Sequence, residues 1–485
     1  MINIIVTTII VVTIKSEFIN RENELGYIEN EFSKKDFRFI SVIGRRRLGK
    51  TRFLEQFLKG KSKYCYVLVP ELNDEDTRME IARVFYEKLD IAFLGLPSWD
   101  EIFEKLFIKS QKEQVIVLFD EFQRLSRINN SVFSYLQKHI DKSAADSKLF
   151  LVVSGSSIGM MHQIFEYASP LYGRRTGQIP FDAFRFDALS KWFPNLPVEM
   201  RVYVYTIYGG TPKYLEEVES ANLQELIVKT LSRTSVLYNE PEVLLKTELK
   251  ESNTYFNILK NIASGVSKSS EIATASGIKA TSIDYYLNIL INDLDLVKKE
   301  IPVCDKPSSR KAIYRINDNF FRFWFRFVYP SFSELEIGNY ERVLGKIENE
   351  LDTFTAPIFE DISKQFLLEM NRQDRLPFTF EKIGLQWGKF RGEPGKNNYE
   401  IDLAAINNST KEILFCECKW QHQKIGPDII ADLMNKARYV QWYNGDRKEY
   451  FAVISRAGFT QKAKEFAEEK GVLLFDLGDV ERVMG

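Results

Sequence analysis

Between Glu17 and Glu219, short runs made almost wholly of apolar residues alternate with longer amphipathic stretches. The runs are Phe39–Ile43, Tyr64–Val69, Val115–Phe119 and Leu149–Val153. A strand apolar on both faces is covered on both, which predicts a parallel sheet flanked by helices over residues 17–220. From 221 to 330 the spacing turns helical. Ile258, Leu259, Ile262 and Ala263 recur at helical intervals, and a short segment Ser269–Ala273 follows. A turn at Gly277 then leads to a third helix from Ala280 to Asp293, with Ile283, Leu287 and Leu290 on one face. A charged ribbon from Leu296 to Arg315 completes the order expected of a winged helix-turn-helix within a helical lid region. Residues 331–355 read as a helical linker, and from Phe378 strands and helices alternate again, predicting a small α/β domain over 356–485.

Composition narrows the class. A chain of 485 residues exceeds the roughly 250–300 residues over which one core keeps growing, so several domains are expected. With 27% charged and 45% hydrophobic residues the chain has the balance of a soluble protein. The net charge of −1 means that any nucleic-acid contact has to come from local patches. Four cysteines make no disulfide framework and fit a reducing cytoplasm. The run Met1–Ile14 is shorter than the roughly 20 residues of a membrane span. Residues 1–16 are therefore read as an apolar extension, either an extra strand or the product of a start codon placed upstream, and no membrane partner is expected.

The first chemical motif is Gly44-Arg45-Arg46-Arg47-Leu48-Gly49-Lys50-Thr51, a G-x-x-x-x-G-K-[ST] loop after an apolar run and before an amphipathic helix. Its glycines let backbone N–H groups wrap phosphate oxygens, and the helix N-terminus adds a favourable dipole. Lys50 would reach the β- and γ-phosphates of ATP, and Thr51 would hold Mg²⁺. A second motif, Val115–Glu121, places Asp120 and Glu121 at the C-terminal tip of a buried strand, where open α/β sheets bind ligands. Asp120 would hold Mg²⁺, and Glu121 would polarise the attacking water. Ser154, after the next strand, has a hydroxyl for sensing the γ-phosphate. Arg174 and Arg175 offer transition-state charge, in cis or from a neighbouring subunit, or form a solvated basic turn or a DNA contact.

The segments "FINRENEL" (18–25), "GRRRLGKT", "LFDEFQ", "SGSS", "PLYGRRTGQ" and "YGGTPKYL" (208–215) together resemble the archaeal ATPase family, signal-transduction ATPases related to AAA+ proteins. The resemblance covers about Phe18 to Val328. It implies that Arg21 contacts the adenine side, that Gly210-Thr211-Pro212 acts as a second sensor near the nucleotide, and that the chain works as a nucleotide-controlled switch, often oligomeric. The segment Tyr314–Tyr329 interleaves aromatics with arginines and resembles the opening of the C-terminal region appended to this family. Base stacking is one reading of it, and an amphipathic helix with core aromatics is the other.

The last motif lies on two strands. Pleat alternation puts Glu400, Asp402 and Ala404 on one face of "YEIDLAAI", and Phe415, Glu417 and Lys419 on one face of "EILFCECKW". If these strands pair, Asp402, Glu417 and Lys419 converge. Their carboxylates suit Mg²⁺ or Mn²⁺, with Lys419 orienting or deprotonating a water. The order of elements resembles the PD-(D/E)XK nuclease superfamily over about Ala356 to Val480, a restriction-endonuclease-like fold. By that resemblance Asp402, Glu417 and Lys419 match the D…(D/E)-x-K core, with Glu360 as the helical acid. No proline precedes Asp402, and the helix from Pro427 contains no glutamine. Cys416, Cys418 and His422 offer only three of the four ligands of a structural zinc site. The expectation is an ATP-hydrolysing switch coupled to Mg²⁺-dependent binding or cleavage of DNA. The alternative is a nucleotide-controlled DNA-binding or scaffold protein with an inactive nuclease fold.

Overall fold

The structure, a computed structural model, describes residues 18–249, 251–390 and 398–485, so the N-terminal apolar run lies outside the described residues. The chain forms two compact units. One contains residues 18–183 and Asn288–Asp295, the other Phe184–Leu287 and Leu296–Gly485.

In the first unit, helix α1 (Glu22–Ser33) precedes β1 (Arg38–Ile43), helix α2 (Lys50–Leu58) and β2 (Tyr64–Leu68). Strands β3 (Val115–Asp120), β4 (Leu149–Gly155) and β5 (Gly177–Pro180) follow, with helices between them. The sheet order is β2-β3-β4-β1-β5 and every pairing is parallel. Alternate residues feed two cores. Phe39, Val117, Val153 and their like pack into one, and Ile40, Leu118 and Val152 into the other. That division is why these strands read as continuous apolar runs.

The second unit begins with a helical region. The helix Ser269–Ser276 ends on Gly277, whose φ of 68° is the left-handed cap that glycine favours. An antiparallel ribbon of β6 (Val297–Glu300) and β7 (Ile313–Ile316) follows. After it, Phe320, Phe321, Phe323, Trp324, Phe325 and Phe327 are all buried, so the aromatics of the 314–329 segment are core. Asp318 caps their helix by accepting the Phe321 N–H at 2.9 Å. Residues 331–355, read as a helical linker, hold a short helix Phe332–Glu336 and the start of a single long helix, α3 (Tyr340–Arg372), which continues into the terminal region.

A five-stranded mixed sheet closes the fold, in the order β12-β11-β10-β9-β8. Its strands are β8 (Lys382–Lys389), β9 (Asn398–Asn407), β10 (Glu412–Lys419), β11 (Lys448–Ser455) and β12 (Val472–Asp476). β8, β9 and β10 pair antiparallel, and β10, β11 and β12 parallel. Helix α4 (Pro427–Ala437) packs Ile430, Leu433 and Ala437 into a core with Ile413, Phe415 and Val453. The other side meets α3, where Phe359 lies against Trp420 and Phe366 against Phe475. Among the described residues no helix is long and apolar enough to cross a membrane.

Candidate functional sites

In the first unit, the turn from β1 into α2 is built around its glycines. A Cβ on Gly44 would stand 2.1 Å from the carbonyl oxygen of Phe181, and Gly49 has a φ of 88°. Lys50 Nζ donates to the carbonyls of Gly44 and Arg45, at 2.6 and 2.7 Å, so the ammonium lies within the loop it would share with a phosphate. Leu48 is buried in the core beneath. Arg45 is buried, Arg46 exposed and Arg47 half-buried, the last with a φ of 68°.

Strand order brings the second motif to the first. β4 lies between β1 and β3, so Ser154 faces Asp120 from the neighbouring strand and its hydroxyl bonds to Asp120 Oδ1. Thr51 Oγ1 donates to Asp120 Oδ2 at 3.0 Å, and Tyr66 from β2 donates to the same oxygen at 2.6 Å. Burial and the bond to Asp120 push the Tyr66 phenol well above its ordinary pKa, so it remains a donor. Glu121 adopts a φ of 56°, which turns it out of the strand. Its Oε2 accepts from Ser156 Oγ at 2.8 Å and from the Gln123 amide. Arg21, also at positive φ (83°), stacks its guanidinium 4.0 Å from the Phe181 ring centroid and donates to the Asp182 carbonyl.

Arg174 and Arg175 stand elsewhere. Thr176 N–H bonds to Phe39 O, which puts both arginines at the N-terminal end of β1, whereas the phosphate loop leaves its C-terminal end. Arg174 is held by Asp141 in a two-pronged pair at 2.8 and 2.9 Å, and Arg175 donates to Ser41 Oγ at 3.0 Å. Along β1, about five residues near 3.3 Å each lie between Phe39 and the loop, although the Arg175 guanidinium reaches forward as far as Ser41. Pro212 belongs to the second unit, where it opens the short helix Pro212–Leu215.

In the second unit the ladder between β9 and β10 ends at Leu403 and Cys416. One residue further along, Asp402 Oδ2 accepts the Cys418 N–H at 2.7 Å. Lys419 Nζ lies 2.6 Å from Glu417 Oε1 and 3.7 Å from Asp402 Oδ2. Lys436, on α4, adds a second ammonium 3.3 Å from Glu417 Oε1. Glu417 is buried, and among the described residues its Oε2 has no hydrogen-bond partner. Burial, and then the charge of Asp402, push Glu360 up to about 8 despite Arg315 at 3.7 Å. Burial and Glu417 push Asp402 up to about 6, against the pull of Lys419. Burial disfavours the Lys419 ammonium, but Asp402 and Glu417 outweigh it and hold its pKa above the ordinary lysine value. A lysine so held stays protonated.

Two acids with raised pKa values and an orphaned buried carboxylate oxygen fit a divalent cation, since a cation would relieve the repulsion between them. Asp402 and Glu417 are the side chains that would hold it. Among the described residues, however, no three His, Cys, Asp or Glu side chains form a ready-made metal shell. Lys419 bridges the two strand acids, and Arg315 holds Glu360. The cysteines are free. Cys416 and Cys418 are buried in β10, while His422 pairs with Asp352 at 2.8 Å.

Residues 18–218 match the model of an ATPase domain predominantly from Archaea. Residues 324–429 match that of a family of archaeal and bacterial proteins of unknown function. An uncharacterized protein of Methanocaldococcus jannaschii is 33% identical over 470 residues, covering 95% of this chain and 99% of its own. The chain belongs to this archaeal ATPase family. A shorter uncharacterized ATP-binding protein of the same organism is 39% identical over 44 residues, 9% of this chain and 75% of its own. Among solved structures, the Walker-type ATPase of Pyrococcus abyssi superposes with a TM-score of 0.51 at 21% identity. That match covers 64% of this chain and 96% of the other and shows a common fold.

Within the family's ATPase domain, Tyr66 and Gln123 escaped the sequence reading, as did Lys436 and Arg315 in the terminal unit. Tyr66 reaches Asp120 only because β2 neighbours β3, a strand order that no local pattern encodes. Lys436 carried one signal, its place four residues after Asp432 on an amphipathic helix, which reads as a surface pair.

Proposed function

We propose that the archaeal ATPase domain hydrolyses ATP as a switch, and that nucleotide state governs Mg²⁺-dependent cleavage of DNA by a PD-(D/E)XK nuclease-like domain at the C-terminus. What carries the nuclease reading is the meeting of Asp402, Glu417 and Lys419 at one end of β9 and β10, with Glu360 in the field of the Asp402 charge. In the ATPase site, the phosphate loop and Lys50 bind the phosphates, Arg21 and Phe181 border the base, and Glu121 orients the attacking water with Ser156 and Gln123 fixing its carboxylate. Ser154 senses the γ-phosphate through Asp120, Pro212 is a second sensor, and Arg174 or Arg175 acts on a neighbouring subunit of a homo-oligomer. Thr51 and Asp120 would hold Mg²⁺ there, and Asp402 and Glu417, with Glu360, would hold Mg²⁺ or Mn²⁺ in the terminal domain. When bound, the cation neutralises phosphate charge and activates water. Lys419 positions the water and the scissile phosphate. The helical region with the β6–β7 ribbon serves as a winged-helix docking module.

The test is conversion of plasmid DNA in Mg²⁺ or Mn²⁺, with and without ATP, by the intact chain and by Lys419→Ala. Cleavage lost in the variant while ATP turnover persists supports the assignment, and equal cleavage by both removes it. The absence of a ready-made three-acid shell among the described residues favours a second reading, a DNA-binding scaffold with an inactive fold. That reading expects no cleavage under any of these conditions.

A further inference from the structure

A long cleft in the second unit borders the carboxylate–lysine cluster. Its volume is about 1180 Å³, above the roughly 300–1,000 Å³ of pockets shaped for one small molecule. One wall is β7 with the loop before it. The other is the edge strand β8 with the start of β9. Six lysines and arginines line it against two carboxylates, in a chain whose net charge is −1.

Two of these cations are not spent on the protein itself. Among the described residues Arg310 and Lys389 make no ion pair, whereas Arg322, 5.4 Å from the centroid of the Phe354 ring, already stands in the field of Asp361, Glu360 and Glu300. Arg310 and Lys389 are exposed on facing walls, and the excess of cations over carboxylates along the cleft gives it a positive field that suits an extended anion. Trp387, half-buried on the same wall as Lys389, adds a flat apolar surface. Cations that follow a backbone together with an aromatic that accepts a base face are the elements of single-strand binding, because paired bases present no free face to stack. Arg315 marks where the cleft meets the acids, 3.6 Å from Glu400 and 3.7 Å from Glu360.

We propose that this cleft binds a single strand of DNA, with phosphates on Arg310 and Lys389 and a base against Trp387, and leads its backbone past Arg315 toward Asp402 and Glu417. Only the last step, delivery to the acids, rests on the nuclease reading. The strand-binding surface stands without it.

The test uses the full chain in EDTA without nucleotide, and follows the fluorescence anisotropy of a labelled oligo(dT) of about 20 nucleotides and of a duplex of the same length. The single strand is expected to bind at least tenfold more tightly. The double variant Arg310→Ala/Lys389→Ala should weaken it at least tenfold. It should also flatten the dependence of log affinity on log salt by about 1.4, at roughly 0.7 per phosphate contact on single strands. Trp387→Ala should weaken binding about tenfold. Lys470→Ala, on an exposed helix end, should change nothing. Equal affinity for duplex, or binding and salt slope unchanged in the double variant, overturns the proposal. So does undiminished cleavage by that variant. Strand binding through Arg310 and Lys389 with no cleavage under any condition supports the cleft and sinks the nuclease reading alone.

Discussion

Lys419 and Glu417, two residues apart on β10, face the same way and meet at 2.6 Å, while Asp402 holds the backbone N–H between them. The pair therefore combines a positive charge kept protonated with a carboxylate that retains one unsatisfied buried oxygen. Replacing Lys419 by Met keeps the aliphatic stem and removes only the charge. DNA cleavage should fall by a factor of about 100 or more, the usual scale for a lost positioning or charge-stabilising donor, with ATP turnover unchanged. Glu417 would keep Lys436, so the loss of stability should stay near 1–2 kcal/mol rather than the 3–5 of a fully stripped buried pair. Plasmid nicking and thermal melting measured on the same preparation separate the two effects.

Glu360 predicts a pH dependence. Its carboxyl is shifted from 4.5 up to about 8 by burial and by Asp402, so between those values the folded chain binds a proton that the unfolded chain has released. Stability contributed by the neutral acid is complete below about 4.5 and is lost as pH rises through about 8. Glu360→Gln, which cannot ionise, should therefore melt close to wild type near pH 4.5 and above it by pH 9. A melting difference that does not grow with pH would rule out a proton on Glu360.

The same proton competes with a cation. Asp402 and Glu360 must both ionise to coordinate, so Mn²⁺ affinity of the intact chain should climb from pH 6 to pH 9. In Glu360→Gln the rise should be confined to the range around pH 6, where Asp402 titrates. Isothermal titration with Mn²⁺ alone, without DNA or nucleotide, checks this, and a flat profile in the intact chain removes Glu360 and Asp402 as ligands.

How far such features could be read beforehand depended on whether a local pattern encoded them. The strands of the first unit stood out because each is covered on both faces, and the turn from β1 into α2 announced itself through Gly44 and Gly49. The approach of Asp402 to Lys419 followed from pleat alternation once two neighbouring segments were paired. Arg174 and Arg175 could not be located that way, since their distance from the phosphate loop depends on which end of β1 they join. The aromatics after Asp318 were ambiguous in sequence, because a stacking surface and a core have the same composition. Burial alone decides for core. Arg315 was invisible for a related reason, as it reaches the acids from an element distant in the chain, and Lys436, on the next helix, read only as a surface partner of Asp432.

Gly44 tests the loop sterically. A methyl group there would meet Phe181 O at 2.1 Å and Phe181 Cβ at 2.8 Å, and the backbone oxygen cannot swing away as a side chain would. Gly44→Ala should cost at least the 1–3 kcal/mol typical of overpacking and weaken ATP binding more than tenfold. Calorimetric melting with and without ATP reads both, and a variant that melts and binds like wild type contradicts the close approach.

Lys50 and Glu121 should separate binding from turnover. Lys50 Nζ lies on the loop carbonyls, where it would reach phosphate oxygens, whereas Glu121 is turned outward beside Ser156 and Gln123. Lys50→Ala should lose ATP binding and turnover together. Glu121→Gln keeps the shape and the contact with Ser156 but removes the charge that polarises water. It should bind ATP within about threefold of wild type while turnover drops roughly 100-fold. Equilibrium binding of a fluorescent ATP analogue, paired with phosphate release, distinguishes them. If Glu121→Gln hydrolyses ATP at the wild-type rate, the water is oriented by another group, and Asp120, within reach of Thr51, Tyr66 and Ser154, is the remaining acid at that strand end.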